Sequence, residues 1–144
     1  MLSDKELEAQ EYYNLCEDDG SGAIIQFIGV VRNNTNSPKP VKGLFYEAHL
    51  ELAEQIIQNI IGETIEKFNL QKAHCVHRVG ELKVGQKAIV VTVAGAHREE
   101  SFEACNYLVN RVKYEAPIWK KELFEDGTSE WGRNSGKKPD YIKE

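Results

Sequence analysis

The segment from Leu50 to Phe68 constrains the fold more than any other part of the chain. Its apolar residues recur at steps of three and four, which is the spacing of one buried face of an α-helix. These residues are Leu52, Ile56, Ile60, Ile61, Ile65 and Phe68. The pattern predicts a long amphipathic helix, and such a helix is stable only when its apolar face packs on another layer.

Runs of β-branched and apolar residues on both sides of this helix supply that layer, because they are typical of strands. The runs are 23–31, 43–49, 73–79, 88–93 and 118–124. The first reads as a buried strand, and the third is expected to pair with the fourth across a turn at 84–87. His77 and Arg78 in the third run are assigned structural roles, and Gly80 is assigned to the turn that follows it. A turn at 125–128 follows the last run.

Two further helices are predicted. Ser3 to Glu6 has the form of a capping box and favours a short helix that reaches Cys16. A second amphipathic helix begins near Glu99 and ends before Pro117, since the residue before a proline avoids helical angles. Its apolar stripe is formed by Phe102, Cys105, Val109, Val112 and Ala116.

Strand pairs that alternate with helices predict an α+β domain, with a mixed or antiparallel sheet covered by two main helices. The chain has 144 residues, the size of one ordinary domain. We therefore expect one domain at 1–132 and a polar C-terminal tail at 133–144.

Composition excludes several classes of protein. The formal charge of −5, from 18 basic and 23 acidic residues, gives no overall attraction to nucleic acid or anionic lipid. No apolar run approaches the length of a membrane span, and the N-terminus lacks the regions of a signal peptide. These features predict a soluble cytoplasmic protein that binds neither nucleic acid nor membrane. The three cysteines are expected to be reduced thiols, with Cys105 packed in the core.

Motif searches narrow the chemistry further. The chain has no phosphate-binding loop, no dinucleotide-binding glycine motif and no nucleophile elbow. No metal site is expected, since the four histidines lack ligand spacing and His74 and His77 would face opposite sides of a strand. No cofactor is expected either.

Lys113 is the most unusual residue of the second amphipathic helix. It stands four residues after Val109 and eleven after Phe102, on or beside the apolar stripe. Burial lowers the pKa of an amine, which makes Lys113 a candidate for proton transfer or nucleophilic attack. The alternative is a stem that covers the core while its ammonium group reaches water.

Other basic residues are candidates for binding an anion. Arg98 follows His97 at the start of the same helix, where free backbone N–H groups and the guanidinium suit an anion. The alternative is that Glu99 and Glu100 merely offset the positive charge of Arg98. Strand alternation places Lys120 and Lys121 on opposite faces of their predicted strand. They lie either on a guarded strand edge or, for Lys120, in a pocket shared with Lys113. Arg32 is a solvated strand end or a pocket cation. Together Arg32, Arg98, Lys113, Lys120 and Lys121 suggest a site for a small anionic ligand.

Short motifs follow one another in a fixed order between Gly22 and Trp131. They are Gly22-Ala23, 27–32, Tyr46-Glu47, 77–82 with Gly85, His97-Arg98 with Phe102 and Ala104, Lys113, and 117–122. In this order they resemble the large, catalytic subunit of the molybdopterin synthase family. The resemblance implies an α/β hammerhead-type fold and a sulfurtransferase of molybdenum-cofactor biosynthesis.

In that family, sulfur arrives as a C-terminal thiocarboxylate on a small ubiquitin-like partner and is transferred to cyclic pyranopterin monophosphate, giving the dithiolene molybdopterin. Two large subunits form the central dimer of a heterotetramer. The resemblance implies that Lys113 and Lys120 are catalytic. It implies that the substrate contacts Val30, Val31, Arg32, His97, Arg98, Lys113, Lys120, Lys121 and Glu122.

The sequence departs from the family pattern at both ends. Members often begin with a strand before the first helix, whereas a helix is predicted here from Ser3. Arg133 matches only loosely. Two other classes of function remain open at this stage: a non-catalytic domain that binds a phosphate ligand, and an interaction protein that holds the small partner without chemistry.

Overall fold

The computed structural model describes residues 1–34 and 38–132. Within these ranges the order along the chain is β1 (Leu2–Ser3), α1 (Ala9–Leu15), β2 (Ala23–Val30), β3 (Val41–Ala48), α2 (Leu50–Phe68), β4 (Lys72–Arg78), β5 (Gly80–Lys83), β6 (Lys87–Gly95), α3 (Arg98–Glu115), β7 (Ile118–Phe124) and β8 (Ser129–Gly132). The predicted α+β class is confirmed.

The strands form two four-stranded sheets rather than one. Sheet A has the order β1-β4-β6-β2, and sheet B has the order β5-β3-β7-β8. Sheet A is mixed, because β1 runs parallel to β4 while its other pairs are antiparallel; sheet B is antiparallel throughout. The expected pairing of β4 with β6 is confirmed. Helices α2 and α3 pack on each other, and both contact sheet A.

Helix α2 has the bounds that the sequence predicts. The His49 ring accepts a hydrogen bond from the Leu52 backbone N–H at the start of the helix, and Asn69 ends it in the left-handed region at φ 52°. Its buried face includes Ala53 and Thr64, whereas Leu52 is exposed. The predicted stripe is therefore only partly right, because small side chains let the helix approach its neighbours closely.

The N-terminus corrects the prediction of a helix from Ser3. The Ser3 hydroxyl accepts a hydrogen bond from the Lys5 backbone N–H at 3.1 Å, and α1 begins only at Ala9. Leu2 and Ser3 instead form β1, where the carbonyls of Met1 and Ser3 accept hydrogen bonds from β4 and from Val79. This pairing joins distant parts of the chain, so the local capping pattern carries no sign of it.

Two short strands were also missed. Gly80, assigned to a turn, begins β5, and β8 follows the turn after β7. Strand β2 is less buried than predicted, because it forms one edge of sheet A and leaves Val30 exposed. Phe102 is likewise exposed rather than buried on its helix. The predicted tail at 133–144 lies outside the described residues.

One cluster of apolar side chains fills the space between α2, α3 and the inner faces of both sheets. A smaller cluster lies under α1, where Leu7 and Tyr12 pack on Val76 and Val90 of the outer face of sheet A. None of the helices in the described residues is long and apolar enough to cross a membrane.

Candidate active site

The end of α3 and the start of β7 bring two lysines together. Lys113 lies in the last turn of α3, the chain becomes extended at Ala116 before Pro117, and β7 then carries Lys120 back past the helix end. The Lys113 ammonium nitrogen lies 5.7 Å from the ring centre of Phe27 on β2. Burial lowers the pKa of Lys113, and the positive charge of Lys120 lowers it further.

This arrangement combines the two interpretations of Lys113 that the sequence left open. The residue is half-buried with its ammonium nitrogen over the Phe27 ring, and a second cation lies near it. An amine in this setting is more often neutral at a given pH than an exposed lysine, and it gains stability when an anion enters.

Two further side chains complete the site, which we call the lysine site: Lys113, Lys120, Phe27, Tyr46 and His77. Tyr46 on β3 is the direct cross-strand partner of Lys120. Partners in an antiparallel pair share one face of the sheet, so both side chains face the interior. The His77 ring on β4 packs against Tyr46 in a T-shaped contact at 4.8 Å, which joins sheet B to sheet A.

His77 is held in one neutral form. Its Nδ1 lies 2.7 Å from the carbonyl oxygen of Arg78, and a carbonyl only accepts, so Nδ1 carries the proton and Nε2 does not. Burial lowers the pKa of His77 to about 4, against the opposing effect of this hydrogen bond, and Lys113 lowers it as well. The imidazole is therefore neutral near pH 7.

We expect His77 to make folding stability depend on pH. Because its folded-state pKa is about 4 and the ordinary value is 6.5, the unfolded chain binds more protons between these values. The contribution of neutral His77 to the free energy of unfolding is fully present above pH 6.5. It is lost as the pH falls toward 4, which lowers the free energy of unfolding by about 3 kcal/mol. Urea unfolding at pH 7 and pH 4.5 should therefore show a smaller loss in His77→Gln than in the original chain.

The control for this measurement is His97→Gln, since His97 is exposed. Carboxylates titrate over the same range in all three proteins, so only differences between them carry information. An equal loss of stability in His77→Gln and the original chain would show that His77 titrates normally.

The structure separates Lys121 from Lys120. Lys121 lies on the outer face of sheet B, where its ammonium nitrogen is 5.5 Å from the ring centre of Trp131 and where Phe45 is its cross-strand partner. Glu122 shares the inner face with Lys120. Lys121 therefore contributes nothing directly to the lysine site.

Residues 30–32 lie where β2 ends, and Val30 is the last residue of β2 that pairs with β6. Val31 is buried, while Val30 and Arg32 are exposed. Among the described residues, no hydrogen bond or ion pair fixes the Arg32 side chain. Its guanidinium is therefore free to meet a ligand that approaches this end of the strand.

His97 and Arg98 lie at the opposite end of α3 from Lys113. The His97 backbone N–H donates to the Glu100 carboxylate at 2.7 Å, which gives half of a capping box. Arg98 and Lys113 are 15 residues apart on one helix, about 22 Å at the rise of an α-helix. The expectation of one cationic cluster within a single chain is therefore wrong for Arg98.

The cysteines do not offer a nucleophile. Cys16, Cys75 and Cys105 are free and buried, as expected. Burial raises the pKa of Cys75 to about 12 and that of Cys105 to about 11, so both remain thiols near pH 7. Residues 1–34 and 38–132 also contain no group of histidine, cysteine and acidic side chains placed to hold a metal ion.

The chemistry of the lysine site suits an anion. It offers two amines, one of them partly desolvated, together with a phenol and a neutral imidazole. Sequence reasoning found the two lysines but assigned His77 to structure and gave Tyr46 no role. Alternation along β3 and β7 shows which residues of each strand share a face. Only the register between the two strands shows that Tyr46 lies opposite Lys120.

A mixed sheet and an antiparallel sheet, with two neighbouring lysines where they meet, define the class: an α+β protein with a cationic site. The family model described as MoaE protein matches residues 2–115. The chain belongs to the MoaE protein family.

Individual relatives agree with this assignment. The molybdopterin synthase catalytic subunit of Thermoplasma volcanium is 35% identical over 90% of this chain and 94% of its own. The crystal structure of molybdopterin synthase from Staphylococcus aureus superposes with a TM-score of 0.85 at 30% identity, covering 91% of this chain and 94% of that one. The complex of subunits 1 and 2 of molybdopterin-converting factor from Helicobacter pylori shares the fold, with a TM-score of 0.73, 20% identity and coverage of 90% and 87%.

Proposed function

We propose that this chain is a molybdopterin synthase catalytic subunit. It transfers sulfur from the C-terminal thiocarboxylate of a small ubiquitin-like carrier to cyclic pyranopterin monophosphate, giving the dithiolene molybdopterin. The observation that carries the proposal is the pairing of half-buried Lys113 with Lys120 at the junction of the two sheets. Family membership supports the same reaction.

The charges of the reactants suit this site. A phosphate, a thiocarboxylate and the carboxylate left after transfer are all anions, and fixed cations stabilise the negative charge that develops as sulfur is transferred. Lys120 supplies such a cation. Lys113 supplies a second one, or a neutral amine that moves a proton or briefly captures the acyl group.

The roles implied for His97 and Arg98 require a second copy of the chain. If two α3 helices pack antiparallel about a two-fold axis near Cys105 and Asn106, Arg98 of each copy lies opposite Lys113 of the other. The surface fits this packing: a groove between α3 and the edge strand β2 is lined by Ile25, Gln26, Phe27, Phe102, Cys105, Asn106 and Val109. Phe102 is exposed at its rim.

We therefore propose a central homodimer whose two sites are each shared between protomers, with one small carrier bound at each site. In such a dimer the second copy would cover the exposed ring of Phe102. We place the reaction in the cytoplasm, since three free, buried cysteines suit a reducing compartment.

Reconstitution tests the function. The purified chain is mixed with thiocarboxylated carrier and cyclic pyranopterin monophosphate, and dithiolene pterin is measured. We expect product only when all three components are present, and none with a carrier that ends in an ordinary carboxylate. A stable complex with the carrier but no product would indicate an interaction protein instead. Binding of the pterin phosphate alone would indicate a non-catalytic binding domain.

A further inference from the structure

We propose that Tyr46 is a further substrate-contacting residue of the lysine site: its hydroxyl donates a hydrogen bond to the anionic carboxyl terminus held by Lys113 and Lys120. This inference rests on the proposed function, because it takes the carrier's C-terminal thiocarboxylate, and the carboxylate left after transfer, as the anion. Neither the family model nor the sequence motifs assign a role to Tyr46.

The position of Tyr46 in sheet B is the first observation that supports this role. A single cross-strand row contains Gly80 of β5, Tyr46 of β3, Lys120 of β7 and Gly132 of β8. Only the two central residues of this row have side chains, and directly opposed residues have Cβ atoms about 5 Å apart. A Cβ added at Gly80 would meet no atom within 4 Å. The row is therefore open on the Gly80 side of Tyr46, whereas a Cβ at Gly132 would contact Lys120.

The ring of Tyr46 is fixed, while its hydroxyl is uncommitted. Tyr46 is only 7% exposed, and the edge contact with His77 sets the ring plane. No described residue forms a hydrogen bond with the hydroxyl. Within residues 1–34 and 38–132, the fully enclosed side-chain polar atoms that lack a partner belong to Ser21, His74 and Arg78. The Tyr46 oxygen is not among them, so it retains an opening to its surroundings.

The protonation state makes the hydroxyl a donor. Burial raises the pKa of Tyr46 to about 12, so the phenol keeps its proton throughout the physiological range. His77 is neutral and its Nδ1 proton is used by the Arg78 carbonyl. In this site Tyr46 is therefore a neutral donor, and His77 acts as a positioning residue for its ring.

A neutral hydrogen-bond donor can bind an anion in this site without adding to the repulsion between the two lysines. Lys120 already lowers the pKa of Lys113, and a third cation would make ionisation of both amines less favourable. A phenol O–H stabilises an anion by a charge-assisted hydrogen bond without adding positive charge. It also orients the single oxygen of the thiocarboxylate, so that the sulfur is directed elsewhere.

The substitution Tyr46→Phe tests the inference, since it removes the hydroxyl and keeps the ring against His77. We expect the single-turnover rate of dithiolene formation to fall about 10- to 100-fold, the loss typical of a hydrogen bond to a charged group. Binding of carrier with an intact carboxylate terminus should weaken about 10-fold. Binding of carrier that lacks its last two residues should not change.

Tyr12→Phe is the matched control. Tyr12 is also a buried tyrosine packed on a histidine, with its ring stacked on His74 at 5.1 Å, but it lies on the outer face of sheet A. We expect its rate and carrier binding to match the original chain. Equal rate and binding in Tyr46→Phe would overturn the inference, as would an equal loss with intact and truncated carrier.

The two proposals fail in different ways. If the original chain forms no dithiolene pterin, the proposed function fails. If the original chain is active and Tyr46→Phe is equally active, only the role of Tyr46 fails. The comparison of intact with truncated carrier measures the contact directly by binding, so it does not depend on turnover.

Discussion

Replacing Lys113 with alanine is expected to lower the rate of sulfur transfer by about 1,000-fold, because the site loses both a charge that stabilises an anion and an amine that handles protons or the acyl group. The effect should appear in single turnover with saturating carrier and pterin. The free energy of unfolding should stay the same or rise, since removing a half-buried amine beside Lys120 relieves repulsion between two cations.

Lys67→Ala provides a closely matched control. Lys67 also lies in the last turn of a helix, and its ammonium nitrogen is 5.7 Å from the ring centre of Phe68, as that of Lys113 is from Phe27. Only Lys113 faces a second lysine across the lysine site. Full activity in Lys67→Ala with loss in Lys113→Ala would assign the effect to the site. Near-normal turnover in folded Lys113→Ala would refute the catalytic role.

Mixing two inactive variants should restore activity if each site is shared between protomers. Lys113→Ala and Arg98→Ala are each expected to form homodimers in which both sites lack one essential group. A heterodimer of the two has one complete site, formed by Lys113 of one copy and Arg98 of the other. Random exchange makes half of the dimers heterodimers, so the mixture should reach about one quarter of the original activity.

The control for this experiment mixes Lys113→Ala with Lys120→Ala. Both lysines lie in the lysine site of one chain, so every site of that heterodimer lacks one lysine and no activity should return. Exchange is verified by mass spectrometry of differently tagged chains. Failure of the first pair to regain activity despite verified exchange would place Arg98 outside the shared site.

Local sequence patterns were sufficient for much of the fold. The bounds of α2 and β7 agree with the structure, because helical spacing and a proline boundary are properties of adjacent residues. The same reasoning failed for β1, which reads locally as a capping box. Its strand is stabilised by hydrogen bonds to Val79 and β4, and no pattern within residues 1–8 encodes that partner. The domain boundary at residue 132 stays a prediction.

The candidate site shows the same division. Spacing on α3 identified Lys113, and alternation on β7 placed Lys120 and Lys121 on opposite faces, as the structure has them. The shared positive charge also led to Arg98 being grouped with Lys113 in one site, although a rigid helix keeps them about 22 Å apart in one chain.

By itself the sequence determined the two long helices α2 and α3, the strands β2, β3, β4, β6 and β7, the class of fold, and the lysine that lies on an apolar face. Only the tertiary structure decided that Tyr46 pairs with Lys120, that His77 packs on Tyr46, and that the strands divide into two sheets. The physical reason is that periodicity depends on neighbours along the chain. Strand register depends on hydrogen bonds and packing between segments that are distant in sequence.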